Sequence, residues 1–196
     1  LLNRGGRFEA RPLPAEAQFT PVNGATVADF DGDGNEDVFL SQNFFAVRVE
    51  DYRMDAGEGL LLLGDGQGGF ATVFGHRSGI KIFGEQRGCA VGDLNDDGRP
   101  ALLIAQSKGR PKLYLNMVGQ PGLRVRLKFN GVNVSSQGAV LRPVYRDGSK
   151  GPVRLVSGST GRYSRNSDTQ ILGAAKRIRS VEGTWPNGIK YDEKVT

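Results

Sequence analysis

The chain has 196 residues, of which 38% are hydrophobic and 29 are glycine, and a net charge of +5 at pH 7. A chain of this length forms one large or two small domains, and this much glycine without a collagen period indicates many tight turns rather than long helices. The sequence has no run of 18 apolar residues, so it predicts no membrane-spanning helix. Its single cysteine, Cys89, excludes an intrachain disulfide bond.

Charge divides the chain into two parts. Residues 1–122 carry 12 Lys and Arg against 16 Asp and Glu, a net charge of −4, whereas residues 123–196 carry 14 against 5, a net charge of +9. The change falls on Gln120-Pro121-Gly122, a sequence typical of a turn or linker. We therefore predict a domain boundary here, with one domain at 1–120 and a second at 123–196.

The first domain contains an internal repeat with a period of 64 residues. The segments 1–8 and 62–70 each have an apolar pair, a glycine-rich turn and a phenylalanine, which is the pattern of a β-hairpin. An aspartate-rich loop follows each segment, at Asp29 and at Asp93, and leads into short apolar stretches. The segment 43–58 is interpreted as a polar surface insertion because it includes Arg48, Glu50, Asp51, Tyr52, Arg53 and Asp55. Repeats of several short strands predict β-propeller-type blades, with a blade end at 1–24 and blades at 25–70 and 71–118.

The second domain is predicted to be a small β-sandwich-like domain. Residues 123–129 alternate apolar and basic side chains, which indicates a half-buried strand with a cationic outer face. Residues 139–145 and 153–156 flank a turn at 146–149 and predict a hairpin, and residues 178–185 predict a further strand. No segment of the chain sustains a helical period, so the sequence predicts an all-β fold with little helix.

The loop 29–37 has the composition of a calcium site. Calcium takes six to eight oxygen ligands, which a short loop can supply at alternate positions. A solvated acidic turn would explain one or two aspartates, but not this spacing around Gly34, where the chain must turn sharply. An EF-hand is excluded because its twelfth position is Leu40 rather than glutamate and the flanks are strand-like. The predicted ligands are Asp29, Asp31, Asp33, Asn35 (through its carbonyl) and Asp37.

The second copy of the loop offers a weaker set of ligands. These are Asp93, Asn95, Asp97 and the backbone carbonyl of Arg99. Ala101 stands where the first copy has Asp37, and Arg99 brings a positive charge close by. Two alternatives remain open for this loop, namely weak occupancy by calcium and a turn held by Asx-type hydrogen bonds alone.

These motifs resemble known families. Residues 29–40 and 64–70 resemble the FG-GAP/VCBS repeats of integrin-α-type β-propellers, and residues 156–163, 172–173 and 181–188 are similar to the ASPIC/UnbV domain that often follows such repeats. The segment 171–174 departs from the usual Phe-Gly-Leu-Gly of that domain. The resemblance implies an extracellular or cell-envelope location, calcium-stabilised blades and a role in adhesion or surface recognition. Such propellers usually have about seven blades, so two blades would leave open edges that could pair with further copies, giving a homo-oligomer or filament.

Three classes of function remain in competition. The favoured one is a non-enzymatic extracellular interaction module with structural Ca²⁺ and a protein or glycan partner. An enzyme acting on polysaccharides is less favoured, because His76 is the only histidine and no HExxH, GxSxG or P-loop pattern occurs. The third is polyanion binding by the second domain, with nucleic acid the least expected ligand because aromatic residues for base stacking are sparse.

The candidate polyanion-binding residues form two groups. They are Arg124, Arg126 and Lys128 on one strand face and Lys176, Arg177 and Arg179 further along the chain. A solvated face, or a docking surface for the acidic repeat domain, is the simpler interpretation of these cations. The segment 133–135 is an N-glycosylation sequon, with Asn133 as the acceptor.

Overall fold

The computed structural model describes residues 1–128, 135–161, 164–173 and 176–195. Over these ranges the protein is all-β with several antiparallel sheets, which confirms the all-β class predicted from the sequence. Helical residues in these ranges are confined to a 3-10 turn at Ala15–Gln18 and a single α-helical turn, α1, at Gly75–Ser78. Neither of these described helices is long or apolar enough to cross a membrane.

The N-terminal part forms a short hairpin and a four-stranded antiparallel sheet. The hairpin consists of β1 (Leu2–Asn3) and β2 (Phe8–Glu9). The sheet follows chain order, and its strands are β3 (Val22–Ala28), β4 (Asp37–Gln42), β5 (Leu60–Gly64) and β6 (Phe70–Val73). The glycine-rich turns identified in the sequence connect β1 to β2 and β5 to β6, so both hairpins form where the pattern predicts them.

A three-stranded antiparallel sheet follows with the same strand register. Its strands, in spatial order, are β7 (Gln86–Gly92), β8 (Ala101–Gln106) and β9 (Gly109–Tyr114). Each sheet contains a cross-strand row at equivalent positions, namely Thr26, Phe39 and Leu61 in the first sheet and Ala90, Leu103 and Leu113 in the second. The strands before and after the two loops therefore pair in the same way in both copies.

The two sheets pack face to face around Phe39. Phe39 and Ile104 are completely buried, and the shared core consists of Ala28, Phe30, Phe39, Ile80, Ile82, Cys89, Leu102 and Ile104. The opposite face of the first sheet buries Leu62 against Ala17 of the 3-10 turn. Removal of a buried aromatic ring such as that of Phe39 costs about 3–5 kcal/mol, so this contact accounts for much of the stability of the sheet pair.

The segment 43–58 is only partly the polar surface insertion that the sequence suggests. Residues 48–56 are exposed, but Asn43 and Gly57 are buried. The Asn43 side chain accepts a hydrogen bond from Gly57 N (2.9 Å) and donates to Gly57 O (2.7 Å) and Gly84 O (3.2 Å). The prediction is therefore corrected at the base of the insertion, which a buried amide ties to the sheets.

The C-terminal part contains two further antiparallel sheets. Its strands are β10 (Leu123–Arg126), β11 (Val140–Tyr145), β12 (Arg154–Leu155), β13 (Thr169–Leu172), β14 (Ile178–Thr184) and β15 (Lys190–Lys194). β10 pairs with β13, and the other sheet has the order β12-β11-β14-β15. The predicted pairing of 139–145 with 153–156 is confirmed, since Val140 opposes Leu155. Both sheets contribute to one core, built around Leu141, Val156, Leu172 and Val181.

The C-terminal part packs against the ends of the repeat strands. Ser167 N donates to Val91 O (2.8 Å), and Asn166 Oδ1 accepts hydrogen bonds from Val91 N (2.9 Å) and Thr26 Oγ1 (3.1 Å). A single C-terminal segment thus contacts both β3 and β7. This contact brings the C-terminal sheets close to the two aspartate-rich loops.

Candidate metal centre

The loop 29–37 connects β3 to β4 and is shaped by hydrogen bonds to Asp29. One carboxylate oxygen of Asp29 accepts a bond from Gly32 N (2.7 Å) and the other from Gly34 N (2.8 Å). Gly32 and Gly34 have φ of 80° and 93°, which side-chain-bearing residues rarely adopt. A β-carbon on Gly32 would also press on the backbone of Gln120. Glycine is therefore required at Gly32 for both backbone conformation and space.

Asp37 holds the other end of the loop. It is the first residue of β4 and is completely buried. Its carboxylate oxygens accept hydrogen bonds from Phe30 N (2.7 Å) and Gly64 N (2.9 Å). Asp37 thereby links the loop to the end of β5, and its position is fixed by the sheet rather than by the loop alone.

Three carboxylates of the loop converge. Asp29, Asp31 and Asp37 each place one carboxylate oxygen within 4.8 Å of the other two. Calcium–oxygen bonds measure about 2.3–2.6 Å, so two ligands of one ion lie no more than about 5 Å apart. The spacing of these three oxygens therefore fits a single calcium ion. Asp31, the outermost of the three, also accepts a hydrogen bond from Asp33 N (3.1 Å).

Burial makes two of these groups resist ionisation. Burial raises the pKa of Asp29 to about 6, although hydrogen bonds from Gly34 N and Gly32 N lower it. Burial also raises the pKa of Asp37 to about 6, against bonds from Gly64 N and Phe30 N. A bound cation favours the ionised form of such groups and so offsets the cost of their burial.

Asp33 and Asn35 lie beside the convergent group rather than in it. The Asp33 carboxylate accepts hydrogen bonds from Asn35 N (2.7 Å) and Asn35 Nδ2 (2.9 Å). In the described part of the chain, the acidic groups that meet at ligand distance in this loop are Asp29, Asp31 and Asp37. Asp33 and Asn35 therefore remain predicted ligands whose side chains are engaged with each other.

The second loop has the same backbone shape and a different chemistry. Asp96 and Gly98 have φ of 61° and 77°, at the positions equivalent to Gly32 and Gly34. Asp93 accepts hydrogen bonds from Asp97 N (3.2 Å) and Gly98 N (3.0 Å), as Asp29 does from its own loop. Among the described residues, however, this loop gathers no group of three acidic or histidine ligands. It keeps its shape through Asx-type hydrogen bonds and through ion pairs with Arg99 and Arg124.

Two arginines, Arg99 of the second loop and Arg124 of β10, each contact an aspartate of this loop. Arg124 Nε lies 2.7 Å from Asp93 Oδ2, and the same guanidinium also contacts Asp96. Arg99 Nη1 lies 3.2 Å from Asp97 Oδ2. The cationic residue predicted to face a polyanion, Arg124, therefore faces an acidic loop of its own chain.

Among the other candidate polyanion-binding residues, Lys176 also has an acidic partner. Lys176 Nζ lies 3.1 Å from Asp147 Oδ2 and 5.6 Å from the centre of the Tyr145 ring. The remaining candidates are exposed and form no ion pair with a described residue; they are Arg126, Lys128, Arg177 and Arg179. The candidate glycosylation residue Asn133 lies outside the described residues.

The structure adds two residues to the first loop that local patterns missed. Arg154 Nε lies 2.6 Å from Glu36 Oε1, and both side chains are largely buried. Gly173 packs against Asp29 and Gly34 so closely that a β-carbon on Gly173 would overlap the Asp29 carboxylate. The Leu172-Gly173 motif marked this position in the sequence, but only the fold shows that it closes over the loop.

A scan against protein-family models and a search of the curated proteins each found no match to this chain. The resemblance to FG-GAP/VCBS and ASPIC/UnbV families therefore rests on the motifs alone.

Proposed function

We propose that this chain is a non-enzymatic interaction module in which Ca²⁺ bound by Asp29, Asp31 and Asp37 is structural. The observation that carries the proposal is the convergence of three carboxylate oxygens within 4.8 Å of one another, two of them on buried residues. Among the described residues, no Lys or Arg forms an ion pair with any of the three; the charge of Arg154 acts on Asp29, but its guanidinium is paired with Glu36. A buried carboxylate without a direct ion pair is costly, and a divalent cation offsets that cost.

Calcium fits the ligand chemistry better than other common divalent cations. The ligands are oxygens from carboxylates and backbone, which hard cations prefer, whereas zinc and copper favour nitrogen and sulfur. Magnesium requires near-ideal octahedral geometry and keeps most of its waters. The carbonyl of Asn35, the Asp33 carboxylate and water would complete a calcium shell of six to eight oxygens.

Thermal unfolding in the presence and absence of calcium tests this proposal. Binding at 100 times Kd stabilises by about 2.7 kcal/mol, which corresponds to a rise in Tm of about 5–10 °C for a chain of this size. We expect this rise with CaCl2 and little change with equimolar MgCl2. The same Tm in CaCl2 and in chelator would refute the proposed role of the metal.

The repeat sheets offer a surface for self-association, which is a second candidate function. In the first sheet, Phe39 and Leu61 are covered by the second sheet. Their equivalents, Leu103 and Leu113, are 45% and 51% exposed on what we define as the outer face of the second sheet. A surface that repeats an interface already present in the molecule favours a repeat sheet of a second copy as its partner.

The edge of the same sheet is less suited to pairing than its face. β9 begins Gly109-Arg110-Pro111-Lys112, and charged residues and proline on an edge strand discourage strand addition. We therefore place self-association on the outer face rather than on the open edges considered from the sequence. Replacement of Leu103 and Leu113 by lysine should abolish concentration-dependent association in sedimentation velocity without lowering Tm. Association that persists in this variant would exclude the outer face.

The same proposal includes four further points. They are the propeller-type blades, the sandwich-like second domain, the extracellular location and the adhesive role. The face-to-face packing of two sheets with equal register supports blades, and a core shared by two C-terminal sheets supports a sandwich. Millimolar extracellular calcium suits a site with few protein ligands. An extracellular protein or glycan is then the expected partner, whereas polyanion binding is less favoured because Arg124 and Lys176 are already paired with acidic residues.

A further inference from the structure

Asp93 is a buried carboxylate whose negative charge is balanced from the C-terminal part of the chain. Its side chain is 0% exposed, and both oxygens accept backbone hydrogen bonds from within the loop. Arg124 Nε lies 2.7 Å from Asp93 Oδ2. An isolated buried carboxylate is strongly destabilising, and the guanidinium of Arg124 is the cation that contacts this one.

The linker 120–122 between the two parts of the chain positions Arg124 next to the second loop. Gly122 N donates to Gly98 O (2.8 Å), and Arg99 Nε donates to Gly119 O (2.6 Å). A β-carbon on Gly98 would press on the carbonyl of Gly122, so the linker lies directly on the loop. β10 starts immediately afterwards, and its alternation turns Arg124 away from the apolar core of its own domain.

The equivalent aspartate of the first loop is balanced differently. Asp29 forms no ion pair among the described residues, because Arg154, whose charge also acts on Asp29, is paired with Glu36. Asp29 converges with Asp31 and Asp37 instead. The second loop has Ala101 in place of Asp37 and a guanidinium in contact with Asp93. A positive group that already contacts the shared ligand position opposes the entry of a divalent cation by charge repulsion.

We propose that Arg124 takes the place of a metal ion at the second loop, so that this loop docks the C-terminal domain and binds no divalent cation. The proposal rests on the proposed function only in treating the first loop as the calcium-binding copy. The two copies of the loop thus serve different purposes. The first copy is a metal site, and the second binds the Arg124 side chain of the adjoining domain.

A double-mutant cycle measures the contact. Arg124→Gln should lower Tm by about 5 °C or more, because it leaves Asp93 buried without a counter-charge. Arg126→Gln is the matched control, since Arg126 lies two residues further on the same strand face and pairs with no described acidic residue; it should leave Tm unchanged. The loss in Asp93→Asn/Arg124→Gln should be smaller than the sum of the two single losses. Additive losses, or equal Tm values for the two arginine variants, would overturn the proposal.

Metal content provides the second measurement and needs only folded wild-type protein and one variant. After equilibrium dialysis against CaCl2, we expect one calcium per chain, and the same value for Asp93→Asn. Two calcium ions per chain, one of them lost in Asp93→Asn, would overturn the inference and leave the proposed function intact. No bound calcium would contradict the proposed function, and the double-mutant cycle would still decide the role of Arg124.

Discussion

Asp31→Asn should have opposite effects on stability with and without calcium. The substitution removes one of the three converging negative charges while keeping the oxygen that accepts the hydrogen bond from Asp33 N. Asp31 is also the outermost of the three, so the change introduces no buried unpaired group. It is therefore the cleanest single change in the centre.

The spacing of the oxygens sets the size of the effect. At the upper limit of 4.8 Å for these oxygen separations, two unit charges repel by about 1 kcal/mol at the dielectric constant of water and about 3.5 kcal/mol at an effective value of 20. Asp31 takes part in two of the three repulsive pairs, so without metal its neutralisation should stabilise the fold by about 2 kcal/mol or more. With saturating calcium the same change removes an ion–ligand attraction, so the affinity should fall at least about tenfold.

Urea denaturation at pH 8, above the pKa values of about 6 of Asp29 and Asp37, measures both effects. In chelator, the unfolding free energy of Asp31→Asn should exceed that of the wild type. In about 5 mM CaCl2, a concentration in the extracellular range, it should be lower than that of the wild type. Asp51→Asn makes the same chemical change in the exposed insertion and should have no effect in either buffer. A destabilisation of equal size in both buffers would show that Asp31 acts only as a turn residue.

Three further predictions follow from the contacts around the loop. In chelator, the pKa values of Asp29 and Asp37, raised by burial to about 6 from the ordinary 3.8, mean that the folded state binds protons more tightly than the unfolded one. The stabilisation of the folded state by proton binding to these two groups is therefore fully present below about pH 4 and is lost as the pH rises through 6. Tm should accordingly rise when the pH is lowered from 7.5 to 5. A Tm that does not change with pH would contradict the burial of these groups. Gly173→Ala should lower both Tm and calcium affinity, because its β-carbon would overlap the Asp29 carboxylate; an unchanged calcium titration would show that this packing is not maintained. Arg154→Met should destabilise the fold by about 1–3 kcal/mol through loss of its ion pair with Glu36. Adding Glu36→Gln to this variant should cost less than Glu36→Gln costs in the wild type. Full additivity of the two losses in urea denaturation would show that the two side chains do not interact.

Much of the fold could be predicted because its strands and turns are encoded locally. The alternation of apolar and basic residues at 123–128 places Leu123 and Val125 against the core and Arg124 on the exposed side, as the pattern indicates. The loop 29–37 could be recognised because its ligands fall within nine consecutive residues. Spacing of this kind depends on the local backbone geometry, which sequence alone specifies well.

The contacts between distant parts of the chain could not be predicted in this way. The alternation in the sequence predicts that Arg124 points outward, but its partner Asp93 is 31 residues away and is determined by the packing of the C-terminal part against the repeat sheets. The charged residues at 48–55 indicate a surface segment from Asn43 onwards, yet Asn43 is buried and bonds to Gly57 and Gly84. Both cases depend on tertiary contacts, which override local composition.

The most direct test of the central claim is the position of the bound metal in crystals grown with calcium. Anomalous scattering should reveal one strong site, with one oxygen each from Asp29, Asp31 and Asp37 about 2.3–2.6 Å from the ion, and none at the second loop. A calcium ion bound elsewhere, or the absence of any ion at these three residues in crystals grown at millimolar calcium, would contradict the account.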